Sequence, residues 1–258
     1  MINDSEMFAE ERHSKIIELI NKKGKVSVNE LVDYFKVSPS TIRNDLNELE
    51  TKGLLKRTHG GAIKETKIAK EFLPSQSSTK MVEEKLSIAK LANTLINDGD
   101  IIALSSGTTI FELVKTLTNK KNLTIILNNL QMASWLEENT NFNIVVLGGI
   151  LRNNYHFLVN PIESELLKLM NIDKAFISVN GVSIEKGITT ADLDTAMNYR
   201  NIINSSLKTY VLSDSSKLDT VSFAKVMDIS NVQGLITDDK ISNELKESFE
   251  KYTDVFVA

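Results

Sequence analysis

Two sets of residues in this chain have the types and spacing to do chemistry. The first runs Ser38-Pro39-Ser40-Thr41-Ile42-Arg43-Asn44-Asp45-Leu46-Asn47 and continues into Lys56-Arg57-Thr58-His59-Gly60-Gly61. An arginine pairs with guanine O6 and N7, and an amide with adenine N6 and N7, so Arg43 and Asn44 can read base edges in a DNA groove. Ser38, Ser40, Thr41, Asn47, Lys56, Arg57 and His59 complete the candidate DNA contacts. The second set is Ser105-Ser106-Gly107-Thr108-Thr109, Asn128, Gly148-Gly149, Arg152, Asn180 and Lys217. If Ser106-Gly107-Thr108-Thr109 opens a helix, backbone N–H groups, hydroxyls and the helix dipole converge on one point, which suits a phosphate. Gly148-Gly149 would let backbone approach a ligand closely. Lys217 and Arg152 could neutralise an anion.

The first set needs a helix that turns its polar side outward. Ser38 suits an N-cap and Pro39 the first helical position. Ile42, Leu46 and Leu49 recur at i, i+4 and i+7 as a buried stripe, which leaves Ser40, Arg43, Asn44 and Asn47 on the opposite face. Gly53 is placed to end the helix. Two further helices precede it. One covers Glu11 to Asn21, with Ile16, Ile17 and Ile20 inward and Lys22-Lys23-Gly24 closing it. The other covers Val28 to Phe35, with Leu31, Val32 and Phe35 inward. Three short helices with a tight Lys36-Val37 link make a helix-turn-helix unit. Leu54 to Thr58 alternates like a strand and Gly60-Gly61 can turn it back, which gives a winged version. The plainer reading is a protein-interaction module whose Arg43 is a solvated charge. Basic residues from Arg43 to Lys64 are also partly offset by Asp45, Glu48 and Glu50.

The chain of 258 residues has a net charge of −4 and no cysteine. Its length allows a small domain plus a larger one with its own core. Without cysteine there are no disulfides, thiolate metal sites or cysteine nucleophiles. The mild acidity confines any DNA contact to a local patch. Met1 to Arg12 is polar and acidic, and no apolar run reaches bilayer length, so a cytoplasmic protein is expected. His13, His59 and His156 lack metal-ligand spacing and read as surface or phosphate-contacting residues. Trp135 reads as core. No cofactor or metal is expected.

Periodicity fades from Lys64 to Lys80, where Pro74 and the run Ser75 to Thr79 mark a linker. The expected domains are therefore 1–64, a linker at 65–80, and 81–258. Val82, Leu86, Ala89, Ala92 and Ile96 define an amphipathic helix. Apolar runs at Ile101–Leu104, Leu123–Leu127, Ile144–Leu147, Ala175–Val179, Tyr210–Leu212 and Gly234–Ile236 then alternate with helical stretches such as Thr108–Leu117 and Gln131–Glu138. That alternation predicts a parallel sheet covered on both faces. The second residue set sits at the carboxyl ends of these strands, the edge where open α/β sheets bind ligands. Small polar residues also follow strands merely to make turns. Five such edges, one phosphate-like and one with a lysine, favour a pocket.

Arg12 to Ala62, with Val26-Ser27-Val28, Val37-Ser38, Thr41-Ile42-Arg43, Asp45-Leu46, Leu49-Glu50, Gly53 and His59-Gly60-Gly61-Ala62, resembles the N-terminal domain of DeoR-type bacterial transcriptional regulators. Residues from Lys80 onward resemble the effector domain of the same family. That domain is related in fold to ribose-5-phosphate isomerase and glucosamine-6-phosphate deaminase. The resemblance implies an α/β chain with a winged helix-turn-helix and a larger, mainly parallel sheet domain. It also implies a repressor of carbohydrate genes that binds an operator in duplex DNA, responds to a phosphorylated sugar, and forms a homodimer or homotetramer. The matching positions in the larger half are Ser106 to Thr109, Asn128, Gly148-Gly149, Gly181, Thr190 and Lys217. The chain departs at Asn44, where a second arginine is usual, and at Ser105, Leu127, Asn160 and Asn180, where aspartate, threonine, glycine and aspartate are common.

The rival is a sugar-phosphate isomerase or deaminase with an appended DNA-binding domain. Such chemistry needs a base to move a proton from carbon, and asparagine at position 180 cannot serve. Asp192 and Asp194 could still enter the pocket. An enzyme is not expected.

Overall fold

The computed structural model describes residues 9–51, 54–58, 60–63, 79–159 and 163–258. The chain divides into two compact units, Met1–Thr66 and Lys67–Ala258.

The first unit holds α1 (Ala9–Lys23), β1 (Lys25–Ser27), α2 (Val28–Phe35), α3 (Pro39–Thr51), β2 (Lys56–Thr58) and β3 (Gly61–Ile63). Gly24, at φ +75°, ends α1 by donating to the Ile20 carbonyl at 2.8 Å. Ser27 and Glu30 then start α2 with a reciprocal capping box. Lys36, left-handed at φ 55°, ends α2. The strands form an antiparallel sheet in the order β1-β3-β2. The strand pattern from Leu54 to Thr58 and the Gly60-Gly61 turn foreshadow β2 and β3, whereas β1 is too short to show any periodicity. Gly61 is obligatory, because a Cβ there would lie 2.0 Å from the Val26 carbonyl oxygen. The core is Ile16, Ile20, Leu31, Ile42, Leu46, Leu49 and Leu55, all buried.

Behind α3 lies a buried polar cluster. Arg12 donates to both Asp45 oxygens, at 2.6 and 2.9 Å, and His13 Nε2 lies 3.0 Å from Asp45 Oδ1. All three side chains are buried. The reading of His13 as a surface or phosphate-contacting residue is therefore corrected. It stands on the inward side of α1, one residue from Arg12, where Asp45 needs a second partner. Asp45 likewise does not offset the charge of the outer face, because Arg12 neutralises it inside.

The second unit is built on a seven-stranded sheet in the order β15-β14-β12-β9-β4-β5-β6, every neighbouring pair of which is parallel. In chain order its elements begin with α4 (Val82–Thr94), β4 (Ile101–Leu104), α5 (Thr108–Thr116), β5 (Thr124–Leu127), α6 (Leu130–Asn139) and β6 (Asn143–Val146). The hairpin β7 (Ile150–Arg152) and β8 (Phe157–Val159) follows, then α7 (Glu163–Leu167), β9 (Ile172–Ser178), β10 (Gly181–Ser183) and β11 (Gly187–Thr190). The chain closes with α8 (Leu193–Asn204), β12 (Ser206–Leu212), β13 (Ala224–Met227), β14 (Gly234–Thr237), α9 (Asn243–Phe249) and β15 (Asp254–Val257). Strands β10, β11 and β13 form a small antiparallel sheet.

Side chains alternate across the sheet, so each strand feeds two cores. Ile102, Leu104, Ile125 and Leu127 pack with Ile88 of α4, Ile110 and Val114 of α5 and Met132 of α6. Ala103 and Ile126 pack on the other face with Ala196, Tyr199 and Ile202 of α8. The central apolar strand runs are thus covered on both faces, whereas β6 at the sheet edge leaves Val146 exposed. The expected stripe of α4 is rotated: Lys85, Ile88, Ala89, Ala92 and Asn93 are buried, while Val82 and Leu86 are 49% and 38% exposed. Asn93 donates to the Thr116 carbonyl at 2.8 Å and Lys85 to the Lys80 carbonyl at 2.7 Å, so polar partners turn the helix onto that face.

From β4 the chain builds outward through β5 to β6, then returns to lay β9 on the other side of β4. The loops after β4 and β9 diverge there, and such a switch point opens a crevice at the carboxyl edge. Among the described residues no helix is long and apolar enough to cross a membrane, and no cluster of His, Cys, Asp or Glu could hold a metal ion.

Candidate functional site

In the first unit, Ser38 Oγ accepts the Thr41 N–H at 3.1 Å and starts α3 as an N-cap. The hydroxyls of Ser40 and Thr41 lie 2.7 and 2.9 Å from it, which makes a polar tip. Ser40, Arg43, Asn44 and Asn47 are exposed, and Thr41 is half-buried. Arg57, half-buried on β2, donates through Nη1 to Asn47 Oδ1, and its backbone N–H donates to Glu50 Oε1 at 2.8 Å. Asn47 and Arg57 therefore tie the wing to α3, while the amino-terminal half of the helix keeps Ser40, Arg43 and Asn44 outward. The Asp45 contact holds the Arg12 guanidinium above its ordinary pKa, through the hydrogen bond first. His59, Gly53 and the side chain of Lys56 lie outside the described residues, as does the linker apart from Thr79 and Lys80.

In the second unit a pocket opens at the switch point. One part of its lining comes from the loop after β4 and the first turn of α5: Ser106, Gly107, Thr108 and Phe111. The loop after β9 adds Ser178, Val179 and Asn180. Asn129, Gln131 and Met132 come from the start of α6, and Lys217 from the turn after β12. Tyr155 and Phe157 of the hairpin and Thr190, Thr195 and Tyr199 complete it. Gly107 at φ +152° lets the chain turn into α5, and a Cβ there would meet Ser178 Cβ at 3.1 Å. The leading N–H groups of a helix lack intrahelical acceptors, so those of α5 are available to a ligand. Ser106 is held by hydrogen bonds to its hydroxyl and its carbonyl. Its hydroxyl donates to Asn128 Oδ1 at 3.3 Å and accepts from Asn129 Nδ2 at 3.4 Å, and its carbonyl accepts the Tyr199 hydroxyl at 2.9 Å.

Four of the five expected strand ends thus contribute to the pocket. The third does not: Gly148 and Gly149 are exposed and absent from the lining, and a Cβ on Gly148 would meet open space. Ser105, Thr109 and Asn128 are also corrected from lining to support. Ser105 is fully buried and accepts the Ser178 N–H at 2.9 Å, which ties β4 to β9. Thr109 is buried on the core side of α5, and Asn128 is buried beneath Ser106.

Arg152 donates to Asp192 Oδ2 at 2.7 Å, and its guanidinium lies 4.3 Å from the Tyr155 ring and 5.6 Å from that of Phe157. It braces the aromatic wall instead of lining the cavity. Asp192 in turn caps α8, accepting from Thr195 N at 2.9 Å and Thr195 Oγ1 at 2.8 Å. Asn180 Oδ1 accepts the Thr190 hydroxyl at 2.9 Å. Lys217 Nζ lies 3.8 Å from the buried Asp214. The aromatic residues escaped the sequence reading because they sit on a hairpin and a helix rather than at strand ends.

Residues 12–67 match the DeoR-like helix-turn-helix domain, and residues 80–239 match the DeoR C terminal sensor domain. The HTH-type transcriptional regulator GolR of Listeria innocua is 34% identical over 244 residues, which span 95% of this chain and 96% of that one. The lactose phosphotransferase system repressor of Staphylococcus epidermidis is 36% identical over 248 residues, spanning 95% of this chain and 98% of that one. A structure of ribose 5-phosphate isomerase A from Methanocaldococcus jannaschii aligns with a TM-score of 0.41 and 18% identity, over 54% of this chain and 55% of that one, too shallow a likeness to carry an argument. With a helix-turn-helix whose polar face is exposed, a separate pocket in the sensor half, and both family matches in order along the chain, the protein belongs to the DeoR family of transcriptional regulators.

Proposed function

We propose that the protein represses genes of carbohydrate uptake or breakdown and releases its operator when a phosphorylated sugar fills the second unit. In this reading residues 1–64 bind DNA, 81–258 bind effector and self-associate, and 65–80 join them. Ser40, Arg43 and Asn44 read bases, with Ser38, Thr41, Asn47, Lys56, Arg57 and His59 placing the helix on the duplex.

The observation that carries the effector class is the start of α5, with Gly107 and Thr108, sharing a pocket with Lys217. Donors and a cation converge there, while Tyr155, Phe157 and Tyr199 offer faces for the apolar side of a sugar. Among the described residues no carboxylate lines the pocket, and Asp192 is held by Arg152 and Thr195. That composition favours sensing over proton transfer from carbon. The naming of one relative as a lactose phosphotransferase system repressor supports the same class.

The test selects a duplex from a random-sequence pool with the full-length protein, then titrates the complex with a panel of sugar phosphates and their unphosphorylated parents. Release by a phosphorylated member alone is expected. Release by the parent sugars at equal concentration would refute the anion-centred pocket.

A further inference from the structure

Strand β6 forms one edge of the seven-stranded sheet, and among the described residues no strand pairs with its outer side. Its backbone alternates. The Asn143 N–H donates to the Leu123 carbonyl at 3.0 Å, and the Leu147 N–H to the Leu127 carbonyl at 2.8 Å. Residues two apart along a strand turn their N–H and C=O to the same side. Val145 therefore also faces β5, and the N–H and C=O groups of Ile144 and Val146 face outward. Ile144 packs against the core that holds Ile125 and Leu127, and Val145 against the one that holds Ala103 and Ile126, yet both are only half-buried. Both cores run out unfinished at this edge.

An open edge is a template for another strand, and proteins that must keep one free place lysine, proline, a bulge or an inward charge there. This edge has none of them. From Asn139 to Leu151 the chain carries no charged residue and no proline, and β5 and β6 pair without a register shift. The opposite edge, β15, carries Asp254. On or just beyond β6, Val146, Ile150 and Leu151 are 41%, 70% and 47% exposed. An uncharged edge is complementary to itself, because a twofold axis brings no like charges together across it. Twofold pairing also closes, using up both edges, whereas a one-sided pairing leaves an edge open to aggregate. The occupant that satisfies backbone, cores and charge together is the β6 of a second copy.

We propose that two copies of the chain join by antiparallel pairing of their β6 edges about a twofold axis at Val145, with Ile144 of one copy exchanging N–H and C=O with Val146 of the other. This rests on the self-association assigned above to the second unit and names the surface that performs it. Two copies supply the pair of DNA-binding units that an operator of two half-sites takes. The chain leaves β6 through Gly148-Gly149 and enters the hairpin whose Tyr155 and Phe157 line the pocket, so the seam lies one short loop from the aromatic wall.

The test joins sedimentation of the full-length protein with directed cross-linking. The wild type should sediment as a dimer or larger oligomer at micromolar concentration, and Val146→Lys should halve that mass. Val146→Pro should do the same, because the N–H it removes faces away from β5 and costs the β5–β6 ladder nothing. The chain has no cysteine, so Val145→Cys introduces a single thiol. Across the axis it meets its own mate in a non-hydrogen-bonded pair, with Cα atoms about 4.5 Å apart, within disulfide reach. Oxidised glutathione should convert Val145→Cys to a covalent dimer about tenfold or more faster than Asn141→Cys, whose two thiols stand far apart in this register. A monomeric wild type would bring down the self-association reading and the seam with it. An oligomer whose Val145→Cys form cross-links no faster than Asn141→Cys would leave self-association intact and overturn the seam. A folded Val146→Lys of wild-type mass would overturn it as well. The cross-link decides the matter even if both Val146 variants fold poorly.

Discussion

Asn44 and Arg43 stand side by side on an exposed face with different reading chemistry. The Asn44 amide matches adenine and an arginine matches guanine, each bidentate pair being worth about 1–3 kcal/mol of discrimination. Asn44→Arg should therefore move the preferred base at one operator position from adenine to guanine, read by competition among duplexes varied at that position. An unchanged preference would remove Asn44 from the reading face. Asp45 acts from within. Removing its charge takes from buried Arg12 the carboxylate that accepts two of its hydrogen bonds, and breaking such a pair costs about 3–5 kcal/mol. Asp45→Asn should accordingly lower the unfolding temperature of the DNA-binding unit and weaken every duplex alike, where Asn44→Arg alters preference. Lys85 gives a pH signature. Its pKa is lowered, chiefly by burial, so the folded state sheds the proton first. Below the folded pKa the cost of burying the charge is carried in full, and it fades as the pH rises toward the ordinary lysine value of 10.5. The stability difference between Lys85→Met and wild type should therefore shift in favour of wild type as pH climbs. A difference flat from neutral to alkaline pH in thermal unfolding would count against a charged, buried Lys85.

At the scale of elements, the start of α5 depends on one conformation. Gly107→Ala combines an unfavourable φ with a Cβ 3.1 Å from Ser178, so the turn must distort or the β9 loop must move. A non-glycine residue held there costs about 1–3 kcal/mol. The expected outcome is a less stable sensor unit that a sugar phosphate no longer stabilises. A variant with wild-type stability and response would mean that the turn tolerates a side chain. The central strands were legible in the sequence because both their faces are buried, which makes β4, β5, β9, β12 and β14 read as plain apolar runs. Helix α3 was legible because one stripe is apolar and its start carries Ser38-Pro39. The β10-β11-β13 sheet was not. Gly187-Ile188-Thr189-Thr190 is buried throughout yet half polar, since Thr189 donates to the Gly181 carbonyl at 3.1 Å and Thr190 to Asn180. Hydrogen-bonded threonines in an interior leave no hydrophobic pattern. The face of α4 differs from the apolar stripe for the same reason, as Lys85 is buried with a bond to the nearby Lys80 carbonyl and Asn93 with one to the distant Thr116 carbonyl.

At the scale of the molecule, the two units have separate cores: Ile16 to Ala62 in one, and Ile88 to Phe249 in the other. Each described core cluster is made of residues of a single unit, and a domain with its own core is expected to unfold as its own cooperative step. Calorimetry of the whole chain should show two transitions. A ligand that binds only a folded unit stabilises that unit by about 2.7 kcal/mol at a hundred times its Kd. A selected operator duplex should therefore raise one transition, and an effector sugar phosphate the other. Regulation then appears in the combination. If effector weakens operator binding, operator must weaken effector binding by the same factor, and the coupling free energy is typically about 1–3 kcal/mol. With both ligands present, the shifts should fall short of their separate values by that amount. Shifts that simply add in the wild type would show that occupancy of the pocket does not reach the DNA-binding unit.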